Sequence, residues 1–250
     1  MGNDIRTFSF QDIKNKMKRI LCIGDIHEPV SRKGYLPFCK DLYKEWNCDT
    51  TIFIGDVVDW SAISFHTHNP EAPGPRDEYE LALLGIQKWY KAFPDATICI
   101  GNHDARPRRV AESVNIPVKF IRNYSDLWKT PKWKWVQSII VDNVFYCHGH
   151  KRGGGKTPAW NLAAKMGMSV VLGHWHSKAG IYWSANPLRR WFGMDVGCGV
   201  DDKAYAFAYA AEQPERSILS AGIILDGVPY HEVMPIGKGE PYHDSNYKAK

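Results

Sequence analysis

The 250-residue sequence predicts an α/β protein of four layers (αββα), with two mixed β-sheets packed face to face as a sandwich and flanked by helices. Two observations predict it. Short apolar runs rich in β-branched residues recur along the chain: Ile20–Gly24, Ile52–Gly55, Thr97–Gly101, Val144–Cys147 and Ser169–Gly173. Up to about residue 100 these runs alternate with helical spacing, as parallel βαβ units do, whereas the second half consists mainly of short strands and turns.

Residues 1–18 form a polar lead-in with lysines at 14, 16 and 18. The first strand is expected at Arg19–Gly24, and Tyr35–Trp46 has the spacing of a helix that returns the chain to a second strand, Thr51–Gly55. The stretch from Trp60 to Pro75 reads as a long loop holding His66, His68 and three prolines. Loops of that length tend to be functional, although a simple surface loop fits these histidines equally well. A helix over Asp77–Phe93 has an acidic start and apolar residues at 81, 84, 86 and 89, and a third strand follows at Thr97–Ile100. Lys132–Val141 and Val144–Cys147 read as a hairpin turned at Asp142-Asn143. Gly153-Gly154-Gly155 leads into a helix at Thr157–Met166, with a strand at Ser169–Leu172 behind it. Further short strands are expected near 179–184, 191–196, 204–210, 218–225 and 229–234, the last two joined by a tight turn at Asp226-Gly227. With no repeat or linker, the reading is one domain over 1–250 that ends in a loose polar tail, 237–250.

A hydrophobic fraction of 44% and a charged fraction of 24% are those of an ordinary globular protein. A net charge of +5 suits an anionic substrate without demanding one. The six cysteines are widely spaced. Cys22, Cys99 and Cys147 fall inside apolar runs, which suits reduced core residues and a cytoplasmic protein. No apolar stretch approaches the ~18 residues of a membrane span. The polar N-terminus lacks a signal-peptide core, and Arg6 stands where myristoylation needs Ser or Thr.

The chemistry lies where the strands end. Asp25 and His27 follow the first run, Asp56 the second, Asn102, His103 and Asp104 the third, His148 and His150 the fourth, and His174 and His176 the fifth. Each block alone is weak, since a lone histidine is more often a hydrogen-bonded structural residue than a ligand. Together they are not, because ligands in α/β sheets gather at the carboxyl ends of strands. Seven of these nitrogen and oxygen donors, Asp25, His27, Asp56, Asn102, His148, His174 and His176, are too many for one ion and suit two that share a carboxylate. Donors of this type, without cysteine, favour Mn, Fe, Zn or Ni over Ca, Mg or a structural zinc. Two ions ~3.5–4 Å apart are a common device for phosphate-ester hydrolysis.

Asp25-x-His27, Gly55-Asp56-x-x-Asp59, Gly101-Asn102-His103-Asp104, His148-Gly149-His150 and Gly173-His174-x-His176 resemble, in order and type, the signature of the calcineurin-like metallophosphoesterases. The resemblance spans residues 19–176, and the family's two central mixed sheets agree with the layers above. It implies that Asp25, His27 and His176 hold one divalent ion, that Asn102, His148 and His174 hold the other, and that Asp56 bridges them. Manganese is the first choice, with iron, zinc or nickel as alternatives. It further implies a hydroxide between the ions as nucleophile, His103 as general acid toward the leaving group, and Asp59 as the carboxylate that orients His103. Asp104 is expected to cap the following segment.

Other features bear on the substrate. Residues 150–157 nearly spell a P-loop, but His150 stands where the first glycine is required. The stretch is therefore either a flexible basic connector or a phosphate-gripping loop, with His150, Arg152 and Lys156 as candidate substrate contacts. Arg106, Arg108 and Arg109 could follow a nucleic-acid backbone or form a solvated helix face. Trp60 and Trp175 could stack on a base, though tryptophan is more often core. Phosphoprotein phosphatases carry arginine where this chain has Trp60, and little chain remains after residue 235 for a capping domain. The expected activity is therefore a phosphodiesterase acting on nucleotides or nucleic acid, nucleases included. A phosphomonoesterase or phosphoprotein phosphatase is the alternative within this chemistry, and an inactive metal-containing binding or scaffold module is the alternative outside it.

Overall fold

The computed structural model describes residues 17–65, 70, 72–151, 154–201 and 215–236. The lead-in before Met17, His66, His68, Arg152, the strand expected near 204–210 and the tail from 237 lie outside the described residues.

The first sheet is built from β1 (Arg19–Ile23), β2 (Thr50–Phe53), β3 (Thr97–Cys99) and β4 (Lys134–Val136), all parallel. Its other edge is extended by the antiparallel pair β10 (Ser220–Leu225) and β11 (Val228–Val233), giving the order β11-β10-β1-β2-β3-β4. The second sheet has the order β5-β6-β7-β9-β8, from β5 (Ser138–Val141), β6 (Val144–Cys147), β7 (Ser169–Leu172), β8 (Gly180–Ala185) and β9 (Arg190–Asp195). Within it β6, β7 and β9 run parallel, and β5 and β8 are antiparallel edges.

Side-chain alternation builds the layers. Leu21, Ile23, Phe53 and Ile98 face outward under α1 (Tyr35–Glu45), α2 (Pro75–Ala92) and α4 (Tyr124–Trp128). Ile20, Cys22, Ile52, Ile54 and Cys99 face inward and meet Val144, Tyr146, Val171, Phe192 and Met194 of the second sheet. Phe145, Cys147, Val170 and Leu172 then turn to α5 (Pro158–Met166). Three apolar layers thus separate four structural ones, and all six cysteines are buried and outside any disulfide. Phe53 is fully buried among the rings of Trp133, Trp89 and Phe93, at centroid distances of 5.2, 5.7 and 6.2 Å. Phe53→Ala is expected to cost about 3–5 kcal/mol of stability, read as a lowered urea midpoint at unchanged slope.

Three expectations are corrected. The run 132–141 is not one arm of a hairpin. It divides at Gln137, with β4 pairing to β3 in the first sheet and β5 pairing to β6 in the second. Only its second half enters the hairpin, through Asp142 (φ 49°) and Asn143 (φ 61°), whose left-handed backbone matches strand twist. The buried stripe of α2 is Glu78, Ala82, Gly85, Ile86 and Trp89, while Leu81 and Leu84 are exposed. The helix rotates to put Trp89 Nε1 2.9 Å from the buried Glu28 carboxylate, to which it donates. Finally, α3 (Arg106–Ser113) and α4 occupy a stretch that the sequence left unassigned.

Candidate metal centre

The carboxyl ends of β1, β2 and β3 meet those of β6 and β7 along the seam between the sheets. Three chain turns there place non-glycine residues in the left-handed region: His27 (φ 45°), Asp56 (φ 45°) and His174 (φ 75°). Such backbone is costly and persists only where the surroundings fix it. Here the loops after β1 and β2 pair with each other, His27 N donating to Asp56 O (2.9 Å), Glu28 N to Val57 O (2.9 Å) and Asp59 N to Glu28 O (3.0 Å). His174 N donates to Asp25 Oδ2 at 3.0 Å, tying a turn of the second sheet to a carboxylate of the first.

The glycines before Asp56, Asn102 and His174 make room for groups from elsewhere in the chain. A β-carbon on Gly101 would collide with Asp56 Oδ1, one on Gly55 would lie 2.6 Å from His148 Nδ1, and one on Gly173 2.6 Å from Asp25 Oδ1. Gly101→Ala therefore has to displace the Asp56 carboxylate. It is expected to lower stability by about 1–3 kcal/mol in urea titrations and to reduce bound metal measured by elemental analysis.

Three groups of three donors result, each with its ligand atoms within 4.8 Å of one another: Asp25, His27 and His176; Asp56, His148 and His174; and His27, Asp59 and His103, which shares His27 with the first. Asp56 stands between the first two, its Oδ2 lying 3.1 Å from His148 Nε2 and 3.7 Å from His27 Nε2. Asn102 joins the second group, with Oδ1 3.0 Å from His148 Nε2. The other ring nitrogen of His148 donates to the Ile54 carbonyl at 3.0 Å, which aims Nε2 at these oxygens. Burial would depress the His148 imidazole, but Asp56 and Asp25 outweigh it and hold it up at about 10. A proton is thus held among carboxylates where a cation would serve the same electrostatic need. Asp25 Oδ1 is buried without a hydrogen-bond partner, and burial together with His148 pushes His174 down to about 4, so its ring is a neutral lone-pair donor. These features fit divalent ions with nitrogen and oxygen ligands.

Asp59 does more than expected. Its carboxylate lies closest to His27, with Oδ1 2.8 Å from Nδ1, and only 3.3 Å from His103 Nδ1. It is the backbone carbonyl of Asp59 that His103 Nδ1 meets most closely, at 2.5 Å, where the chain reverses at Trp60 (φ 54°). Burial opposes ionisation of Asp59, but the hydrogen bonds to His103 and His27 outweigh it and hold the carboxyl well below the usual range. One carboxylate thus serves both histidines, His103 as expected and His27 besides.

Arg106, read from the sequence as a backbone contact or part of a solvated helix face, turns inward instead. It is buried, its Nη1 donates to the carbonyls of Asp59 (2.9 Å) and Trp60 (2.7 Å), and its Nη2 lies 3.1 Å from His103 Nε2. Asp104 does not cap the next segment. Its carboxylate accepts from Val57 N (3.0 Å) and Gly101 N (2.8 Å), stapling the loops after β2 and β3, and burial, then Asp56, pushes it up to about 7. Trp60 is core, with its ring 5.5 Å from Trp128 and 6.3 Å from Tyr79, so it is closed to a base. Trp175 packs partly buried against the α5 layer. His150 is half-buried with its ring 5.3 Å from that of His148, while Lys156 is exposed in the turn before α5.

A sequence model of the calcineurin-like phosphoesterase family matches residues 18–198. No curated protein matches the chain. Among solved structures, the phosphoesterase Yfce from E. coli is 15% identical over 82% of this chain and 87% of its own, with a TM-score of 0.41. Vacuolar Protein Sorting 29 from Cryptosporidium parvum is 12% identical over 87% and 96%, at 0.43. The nuclease MPE from Pseudomonas putida is 13% identical over 86% and 87%, at 0.38.

Proposed function

Because the chain belongs to the calcineurin-like phosphoesterase family, we propose that it is a phosphodiesterase with a two-ion centre, acting on nucleotides or nucleic acid. The observation that carries this reading is the meeting of two three-donor groups at Asp56. Asp25, His27 and His176 would hold one ion, Asn102, His148 and His174 the other, and Asp56 both. Imidazole and carboxylate donors together suit manganese, iron, zinc or nickel, and manganese is the ion to test first. Bound divalent ions supply a water acidic enough to attack at neutral pH and positive charge beside the non-bridging phosphoryl oxygens.

The remaining work falls to protein groups. His103 stands beside the donors, its ring 4.5 Å from that of His27, and would pass a proton to the departing oxygen. The Asp59 carbonyl holds its Nδ1, so Nε2, which also meets Arg106 Nη2, would be the nitrogen that makes that transfer. A diester is favoured because a monoester dianion brings one more charge to neutralise. Trp60, buried where a phosphatase has arginine, offers none, and Arg106 spends its donors on Asp59, Trp60 and His103. A scaffold would need neither His103 nor its hydrogen-bonded support.

The test is manganese-dependent turnover of bis-p-nitrophenyl phosphate against p-nitrophenyl phosphate. The diester is expected to be cleaved with the higher kcat/KM. Faster monoester cleavage would overturn the preference, and two bound ions with no turnover of either ester would leave the scaffold reading.

A further inference from the structure

Beside the donor groups lies a cavity of about 450 Å³, within the ~300–1,000 Å³ that small ligands occupy. Its lining includes Asn102, which also stands at the candidate metal centre, and His150 beside it, together with Arg108, Arg109, Lys151 and Tyr124. Three cations face one carboxylate, Glu112, and among the described residues none of the three is engaged in an ion pair. The Arg108 guanidinium lies over the Tyr124 ring, 4.6 Å from its centroid, and its buried Nε has no hydrogen-bond partner. The other side of Tyr124 stacks on Trp135 at 4.7 Å. Tyr124 is therefore enclosed and cannot stack on a base. It instead holds flat a guanidinium whose donors are unspent, and such a fork matches phosphate oxygens in pairs.

We propose that this cavity seats a second phosphate of the substrate, so that the protein selects esters carrying two phosphates in series and reads their charge rather than their bases. The proposal rests on the phosphodiesterase reading and deepens it. A phosphate at the donor groups has its continuation led past Asn102 and His150 toward Arg108, Arg109 and Lys151. Nucleotide bisphosphates and oligonucleotides share this chemistry.

The test is equilibrium binding to the metal-loaded protein of adenosine 3′,5′-bisphosphate, uridine 3′,5′-bisphosphate and adenosine 5′-monophosphate. Both bisphosphates are expected to bind at least about tenfold tighter than the monophosphate, a margin equal to about 1.4 kcal/mol. Arg108→Gln is expected to erase that margin. Lys151→Gln, which disturbs no stacking, should reduce it severalfold, and Lys91→Gln, on the exposed face of α2, should keep it. Cleavage of a phosphorylated dinucleotide relative to bis-p-nitrophenyl phosphate is expected to fall in the same variants. Equal affinity for mono- and bisphosphate, a margin untouched by both Arg108→Gln and Lys151→Gln, or a tenfold preference between the two bases would each overturn the proposal. If the margin holds while neither test ester is cleaved, the phosphodiesterase reading fails and the cavity assignment stands.

Discussion

His103→Ala is expected to slow cleavage of a dinucleotide phosphodiester by about 10²–10⁴-fold, the usual contribution of a positioned general acid, while two ions remain bound. The effect should depend on the leaving group. A nucleoside alkoxide leaves poorly without a proton, whereas p-nitrophenolate leaves readily. The defect on bis-p-nitrophenyl phosphate is therefore expected to be much the smaller. A purely structural role would slow both substrates alike, and full activity on the dinucleotide would remove His103 from the reaction. Arg106 sharpens this prediction. Its Nη2 lies 3.1 Å from His103 Nε2, so Arg106 is expected to steady the ring in both reactions and its loss to slow both esters alike.

Asp56→Asn is expected to empty the centre. The amide keeps the size of the carboxylate and an oxygen that can accept from His103 N, now bonded to Asp56 Oδ1 at 2.8 Å, so the local turn survives. What it loses is the charge that both donor groups share and that helps hold a cation at His148. Losing an outer hydrogen-bond partner of a metal ligand typically weakens affinity ~10–100-fold, and losing a shared ligand should exceed that for both ions. Elemental analysis after dialysis, with circular dichroism to verify the fold, gives the answer. A variant that still holds two ions per chain would end the bridging role of Asp56.

Much of the fold could be read from the sequence because β-strands announce themselves by alternation. The odd and even residues of Ile20–Ile23 separate cleanly between two apolar layers, and the turns at Asp142-Asn143 and Asp226-Gly227 both have the expected left-handed backbone. The donors were legible for a related reason, since each closes an apolar run. What escaped depends on partners far away in the chain. Nothing local separates Arg106, which turns inward to two carbonyls, from Arg109, which stays exposed three residues later. Asp104 looks like a helix cap until the loops after β2 and β3 are seen side by side. The break at Gln137 leaves no mark, because both halves of the run are equally suited to strand. The α2 stripe was misjudged because a buried carboxylate, rather than leucine, sets the rotation of that helix.

The division of that run between the sheets has a mechanical consequence. The two donor groups that meet at Asp56 each draw from both sides of the seam: Asp25 and His27 follow β1 and are completed by His176 beyond β7, while Asp56 follows β2 and is completed by His148 and His174. Any slip of one sheet along the other would pull both triads open together. The continuous backbone from β4 to β5 resists that slip, since it is hydrogen-bonded into both sheets with only Gln137 between. The β4–β5 connection is thus a strut that contributes no candidate ligand, and lengthening it by one residue is expected to loosen the two triads without altering any of their side chains.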